Sequence, residues 1–169
     1  MFTRQIVRSM VLGAALFAAG AAAALEPAEG EVLLTVTGAI AHTNADGAAQ
    51  FDLALLEGFE TVAIETTTIW TEGVQVFEGV ELADLLAAVG AEGATLRAIA
   101  LNDYAVDIPV ADAVEGGPII AFLRNGETMS LREKGPLWVI YPFDSNPEYQ
   151  TEQIYARSIW QLDRIEVQP

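Results

Sequence analysis

Few residues of this chain are equipped for chemistry, and they fall into three groups. Trp70, Tyr104, Trp138, Tyr141 and Trp160 join apolar bodies to polar tips, which suits either the wall of a small-ligand pocket or an aromatic core. Arg132 and Lys134 stand out among only eight basic residues and lead into a Gly135-Pro136 turn. They offer a small-anion site, or else pair with Glu127 and Glu133 at the surface, the commoner use of such charges. Asn102, Asp103, Asp107 and Asp112 are hard oxygen donors that could gather a divalent cation. Their spacing matches no EF-hand loop, and Asn and Asp are ordinary turn residues.

Much chemistry is excluded outright. His42 is the one histidine, so no histidine metal cluster, no H-E-x-x-H pair and no Ser-His-Asp triad can be assembled. Its plain reading is a surface loop residue. Ser130, Ser145 and Ser158 lack a nucleophile-elbow context, and the glycines form neither a Walker loop nor a dinucleotide fingerprint. There is no cysteine, hence neither thiolate nor disulfide. Hydrolase, NTPase and nicotinamide-enzyme readings fall away.

The first 24 residues read as a secretory signal peptide. Arg4 and Arg8 lie in an acid-free start, Met10–Gly20 is an unbroken apolar run, and Ala21–Ala24 supplies a small-residue cleavage site. That run is short for a membrane helix, and no later stretch approaches the roughly 20 apolar residues a span needs. The expected location is the periplasm or the medium, by the general secretory route. Arg4 and Arg8 leave with the signal, so residues 25–169 keep six basic residues against 24 acidic ones, a net charge of −18. Such a surface repels nucleic acid and anionic headgroups. The acidity serves solubility, or alternatively a cationic partner protein or metal ions.

Periodicity divides residues 25–169 into one domain without repeats or long linkers. Strands are expected at Val32–Thr37, Thr61–Ile69, Val74–Phe77, Thr95–Leu101, Tyr104–Ile108, Ile119–Arg124, Leu137–Tyr141 and Ser158–Val167. Short helices are expected at Asp52–Glu57, with Asp52 as N-cap, and at Leu82–Val89, where Leu82, Leu85, Leu86 and Val89 share a face ahead of Gly90. Pro109–Val114 suits one or two helical turns, and Asn146-Pro147 a helix start. Asn125-Gly126 is a hairpin dipeptide. The irregular order, rich in strands, indicates an α+β domain with a mixed sheet core.

Five segments together resemble the sulfite-oxidase-like molybdopterin-binding domain, across roughly the whole of residues 25–169: Phe77–Leu86, Asn102-Asp103-Tyr104, Asn125–Met129, Lys134-Gly135-Pro136-Leu137 and Ser158–Leu162. The resemblance implies that fold, and for its catalytic members a molybdenum held by a cysteine thiolate. The thiolate position falls at the end of Glu65–Trp70, where Thr66, Thr67 and Thr68 stand instead, and a neutral hydroxyl is a poor substitute for a soft anion. The family's arginine after Pro-Leu corresponds to Trp138 and the lysine of its last motif to Trp160. An indole has one donor and no charge with which to neutralise a pterin phosphate.

The resemblance also implies that exported molybdenum enzymes are loaded in the cytoplasm and leave folded, through a twin-arginine signal. Gln5-Ile6-Val7 separates Arg4 from Arg8 here. The expectation is therefore an exported, non-catalytic module that binds a small ligand, or signals to an envelope receptor or other partner, with no cofactor. Its pocket is expected among Thr66, Thr68 and Trp70, among Asn102, Asp103 and Tyr104, and among Arg132, Lys134 and Trp138. The alternative is an active molybdopterin-dependent oxidoreductase of the sulfite oxidase type, with threonine or water in the thiolate's place.

Overall fold

The computed structural model describes residues 25–169. The expected signal peptide lies outside the described residues.

Alternation along Leu34–Gly38 (β1) turns Leu34 and Val36 inward. It pairs antiparallel with Ala49–Phe51 (β2), a strand of three residues that is too short to show a period. Asp52 then caps Leu53–Glu57 (α1): its Oδ1 accepts the Leu55 N–H at 2.9 Å, while Oδ2 accepts those of Gly30 and Glu29 at 2.7 and 3.0 Å. These bonds, Leu55's foremost, hold the Asp52 carboxyl below the ordinary carboxylate range.

Thr61–Thr67 (β3) and Val74–Glu81 (β4) form an antiparallel pair. β4 continues past Phe77, where sequence reading stops it. A register shift at Glu78/Gly79 lets the strand bend against Ile119–Arg124 (β7), and Gly79 brings its backbone close to Ile120 and Ala121. Leu82–Val89 (α2) buries the four apolar positions expected of it and ends at Gly90 in the left-handed conformation.

Thr95–Ala100 (β5) and Ala105–Pro109 (β6) flank the Asn102-Asp103 turn, with a 3-10 turn over Val110–Asp112 in place of a longer helix. After β7, Asn125 and Gly126 take positive φ and turn the chain into Glu127–Thr128 (β8). Trp138–Ile140 (β9) pairs with the other end of β7. Asn146 caps only a 3-10 turn at Pro147–Tyr149, and the helix itself, Glu152–Arg157 (α3), is capped by Thr151. The last strand, Leu162–Gln168 (β10), begins four residues after Ser158, where sequence reading starts it.

Two five-stranded sheets result. One runs β2-β1-β10-β5-β6, in which β1 and β10 are parallel, and the other runs β3-β4-β7-β8 with β9 also on β7. One hydrophobic core draws on both sheets, from Leu34, Leu96 and Ile165 in the first to Phe77, Ile120 and Trp138 in the second. The β9 strand is buried at every position, which explains its continuous apolar run.

An aromatic cleft as the candidate functional site

Three short connections converge on one cleft. The turn after β3 carries Trp70, whose backbone N–H donates to Thr68 Oγ1 at 3.1 Å while that hydroxyl also bonds Thr71 Oγ1 at 2.8 Å. The turn between β5 and β6 carries Asn102 and Tyr104, with the Tyr104 N–H donating to Asn102 Oδ1 at 3.1 Å. The segment from α3 into β10 supplies Tyr155, Ala156, Ser158, Ile159 and Trp160. With Ala100 these residues enclose about 470 Å³, within the size range of small-molecule sites.

Trp70 is the hub of the walls. Its ring lies 5.7 Å from Trp138, 5.8 Å from Tyr155 and 5.7 Å from Trp160, the last two edge-on. Trp138 sits beneath the cleft, fully buried, and its Nε1–H donates to the Ser158 carbonyl at 3.1 Å. The Ser158 hydroxyl donates to the Ile154 carbonyl at 2.9 Å, so this serine is occupied as a structural tie. Lys134, in the left-handed conformation, lays its ammonium 4.1 Å from the Trp160 ring centre and 5.7 Å from that of Trp138.

Of the residues singled out from sequence, Trp70, Asn102 and Tyr104 border the cleft together, with Trp160 from the aromatic group. Thr66 is buried, and its hydroxyl donates to the Thr67 carbonyl and accepts the Asp144 N–H at 3.1 Å. Thr68 shapes the turn under Trp70. Asp103 faces away to pair with Arg164 at 2.6 Å, an exposed ion pair of small energetic weight. Arg132 is exposed on a 3-10 turn, Lys134 caps the Trp160 face, and Trp138 packs behind Trp70 and Trp160 in the core without bordering the cleft. Tyr155 and Ala156 enter from α3, a helix that no strong periodic signal announces, and Ser158 and Ile159 follow at its C-terminal end, within the Ser158–Leu162 segment. His42 is half-buried, with Nδ1 bonded to the Ala88 carbonyl at 2.9 Å.

A pterin-bound molybdenum asks for a soft thiolate and for cations against the phosphate. The chain has no cysteine, and the described residues hold no group of three His, Cys, Asp or Glu side chains that could gather a metal. The Thr66 hydroxyl is engaged on both sides, and among the described residues none that lines the cleft is charged. The residues present do not fit that group.

No family model and no curated protein matches the sequence. The structure matches the crystal structure of the sulfane dehydrogenase SoxCD from Paracoccus pantotrophus, with a TM-score of 0.59 and 19% identity. The likeness covers 86% of this chain and 40% of that one, so the chain spans less than half of that protein's length. This chain thus shares a strand-rich α+β fold with that dehydrogenase.

Proposed function

We propose that this protein is an exported, non-catalytic small-ligand-binding module on a molybdopterin-oxidoreductase-like scaffold, which presents its loaded or empty state to an envelope partner. The observation that carries this reading is the cleft itself. Tyr104, Tyr155, Trp70 and Trp160 wall a space of about 470 Å³, and the polar groups beneath them are tied into the structure. Such a site can bind by stacking and desolvation, and its described lining residues include no His, Cys, Lys, Asp or Glu to act as nucleophile or general base. The signal-like first 24 residues and the split Arg4 and Arg8 support export of an unfolded, unloaded chain.

The test is to purify the protein from the envelope of cells supplied with molybdate, then measure molybdenum per chain alongside native mass spectrometry. The expected result is a chain without molybdenum that retains, or takes up, an organic ligand with a raised thermal midpoint. Stoichiometric molybdenum with a pterin would overturn the proposal in favour of an oxidoreductase. A chain whose midpoint moves with no small ligand would point to a purely structural surface protein.

A further inference from the structure

We infer that the cleft selects a methylated organic ammonium ion, a cation of the trimethylammonium class. The inference rests on the ligand-binding reading above and names its ligand chemistry. Four aromatic rings border the space, and the π faces of Trp and Tyr attract a cation whose charge is spread over methyl groups. The Lys134 ammonium, 4.1 Å from the Trp160 ring centre, already holds one face of that ring, which leaves its other face and the three other rings for a ligand cation.

Other ligand classes fit less well. An anion finds no charged lining residue to pair with, and approaches residues 25–169 against a net charge of −18. A sugar needs many hydrogen-bond partners. Here the Ser158 hydroxyl is spent on Ile154, its carbonyl on Trp138 and Asn102 Oδ1 on Tyr104, which leaves mainly donors, two indole N–H groups and the Asn102 amide, with the Tyr104 and Tyr155 hydroxyls as the side-chain acceptors. A primary ammonium has the same difficulty, since it is strongly hydrated and needs acceptors to replace its water. A quaternary ammonium needs none. It sheds a weaker hydration shell and satisfies its charge on the rings, while the overall negative potential draws it in.

The test compares choline with its uncharged carbon isostere, dimethylbutanol, on protein purified from cells expressing the full chain. Isothermal titration and tryptophan fluorescence both read the binding. The expected result is a Kd for choline about tenfold lower than for the isostere, equivalent to about 1.4 kcal/mol. Tyr104→Leu and Trp160→Leu, at positions 56% and 37% exposed, keep apolar bulk and lose the π face. Each is expected to erase most of the preference without lowering the thermal midpoint appreciably. Equal or tighter binding of dimethylbutanol would overturn the cationic class and leave the ligand module standing. Binding of neither molecule would overturn the cationic class, and the module as well if the midpoint moved with no other small molecule. An unchanged preference in both leucine variants would place the cation elsewhere and overturn this site.

Discussion

Asp144 grips Thr67 at two points, accepting its backbone N–H at 2.6 Å and its hydroxyl at 2.7 Å. The Asp144 N–H in turn donates to Thr66 Oγ1 at 3.1 Å, so the end of β3 is fastened to the chain beyond β9. The turn bearing Trp70 follows at once, and the wall of the cleft inherits its position from this tie.

Asp144→Ala is therefore expected to loosen that turn at a cost of about 1 kcal/mol, the order of one net hydrogen bond at an exposed site. The Thr67 N–H, followed by the Thr67 hydroxyl, holds the Asp144 carboxyl below its ordinary range. A folded-state value depressed below the unfolded one gives stability that is present above the ordinary aspartate value of about 3.9 and is lost as pH falls through the folded value. Urea titrations should show a shallower loss of stability on the acid side of that value in Asp144→Ala than in the wild type.

Tyr141 tests the opposite side of the pH scale. Its buried hydroxyl donates to Asp112 Oδ2 at 2.8 Å, and Arg157 reaches the same oxygen at 2.9 Å. Burial first, and Asp112 second, raise the hydroxyl above the tyrosine range of about 10. Because the folded value lies above the unfolded one, the associated stability is whole below about pH 10 and is lost as pH rises toward the folded value. Tyr141→Phe should cost about 1 to 2 kcal/mol at neutral pH. Denaturant midpoints followed upward from about pH 9 should fall less steeply in the variant than in the wild type.

Trp138 and Trp160 separate core from site. Trp138 is fully buried, packs edge-on against Phe77 with ring centres 5.4 Å apart, and donates to Ser158. Trp138→Ala should cost about 3 to 5 kcal/mol, with a cavity under Trp70 and an unpaired Ser158 carbonyl. Trp160→Ala should leave the thermal midpoint much closer to the wild type while weakening ligand binding. Equal destabilisation by the two would show Trp160 to be a core residue.

This contrast marks how far the sequence is legible. Local signals carry well: the Asp52 cap, the apolar face of α2 closed by Gly90, and the Asn125-Gly126 turn each follow from a few neighbouring residues. The β2 strand has too few residues to show a period, and the helix after Asn146 begins at Glu152, under a different cap. The cleft is harder to read because it is non-local. Trp70, Tyr104 and Trp160 are similar in chemistry to Trp138, and only packing makes the first three a wall and the last a core residue behind it. Likewise Asn102 and Asp103 are neighbours in a turn, yet one borders the cleft and the other, at φ 64°, turns to Arg164.

Gly79 makes a prediction about the scaffold beneath the site. It lies in the middle of β4, opposite Val62 on one side and Ala121 on the other, at the register shift that bends the strand. A Cβ added there would run into the Ile120 carbonyl oxygen and approach the Ala121 Cα to 2.7 Å, and both obstacles are backbone. Main chain locked in a ladder cannot swing aside as a side-chain tip can, so the β4 and β7 strands would have to separate. Gly79→Ala should therefore cost at least the 1 to 3 kcal/mol or so typical of overpacking, with loss of protection from hydrogen exchange along β7. Gly47→Ala is the control. Gly47, unlike Gly79, takes the left-handed conformation unfavourable to alanine, at φ 68°, but nothing lies within 4 Å of the added methyl. Its cost should be limited to the backbone penalty of about 1 to 2 kcal/mol, with β7 protection unchanged. If the two variants lost equal stability and neither changed exchange in β7, close approach of the strands would not be what requires glycine at position 79.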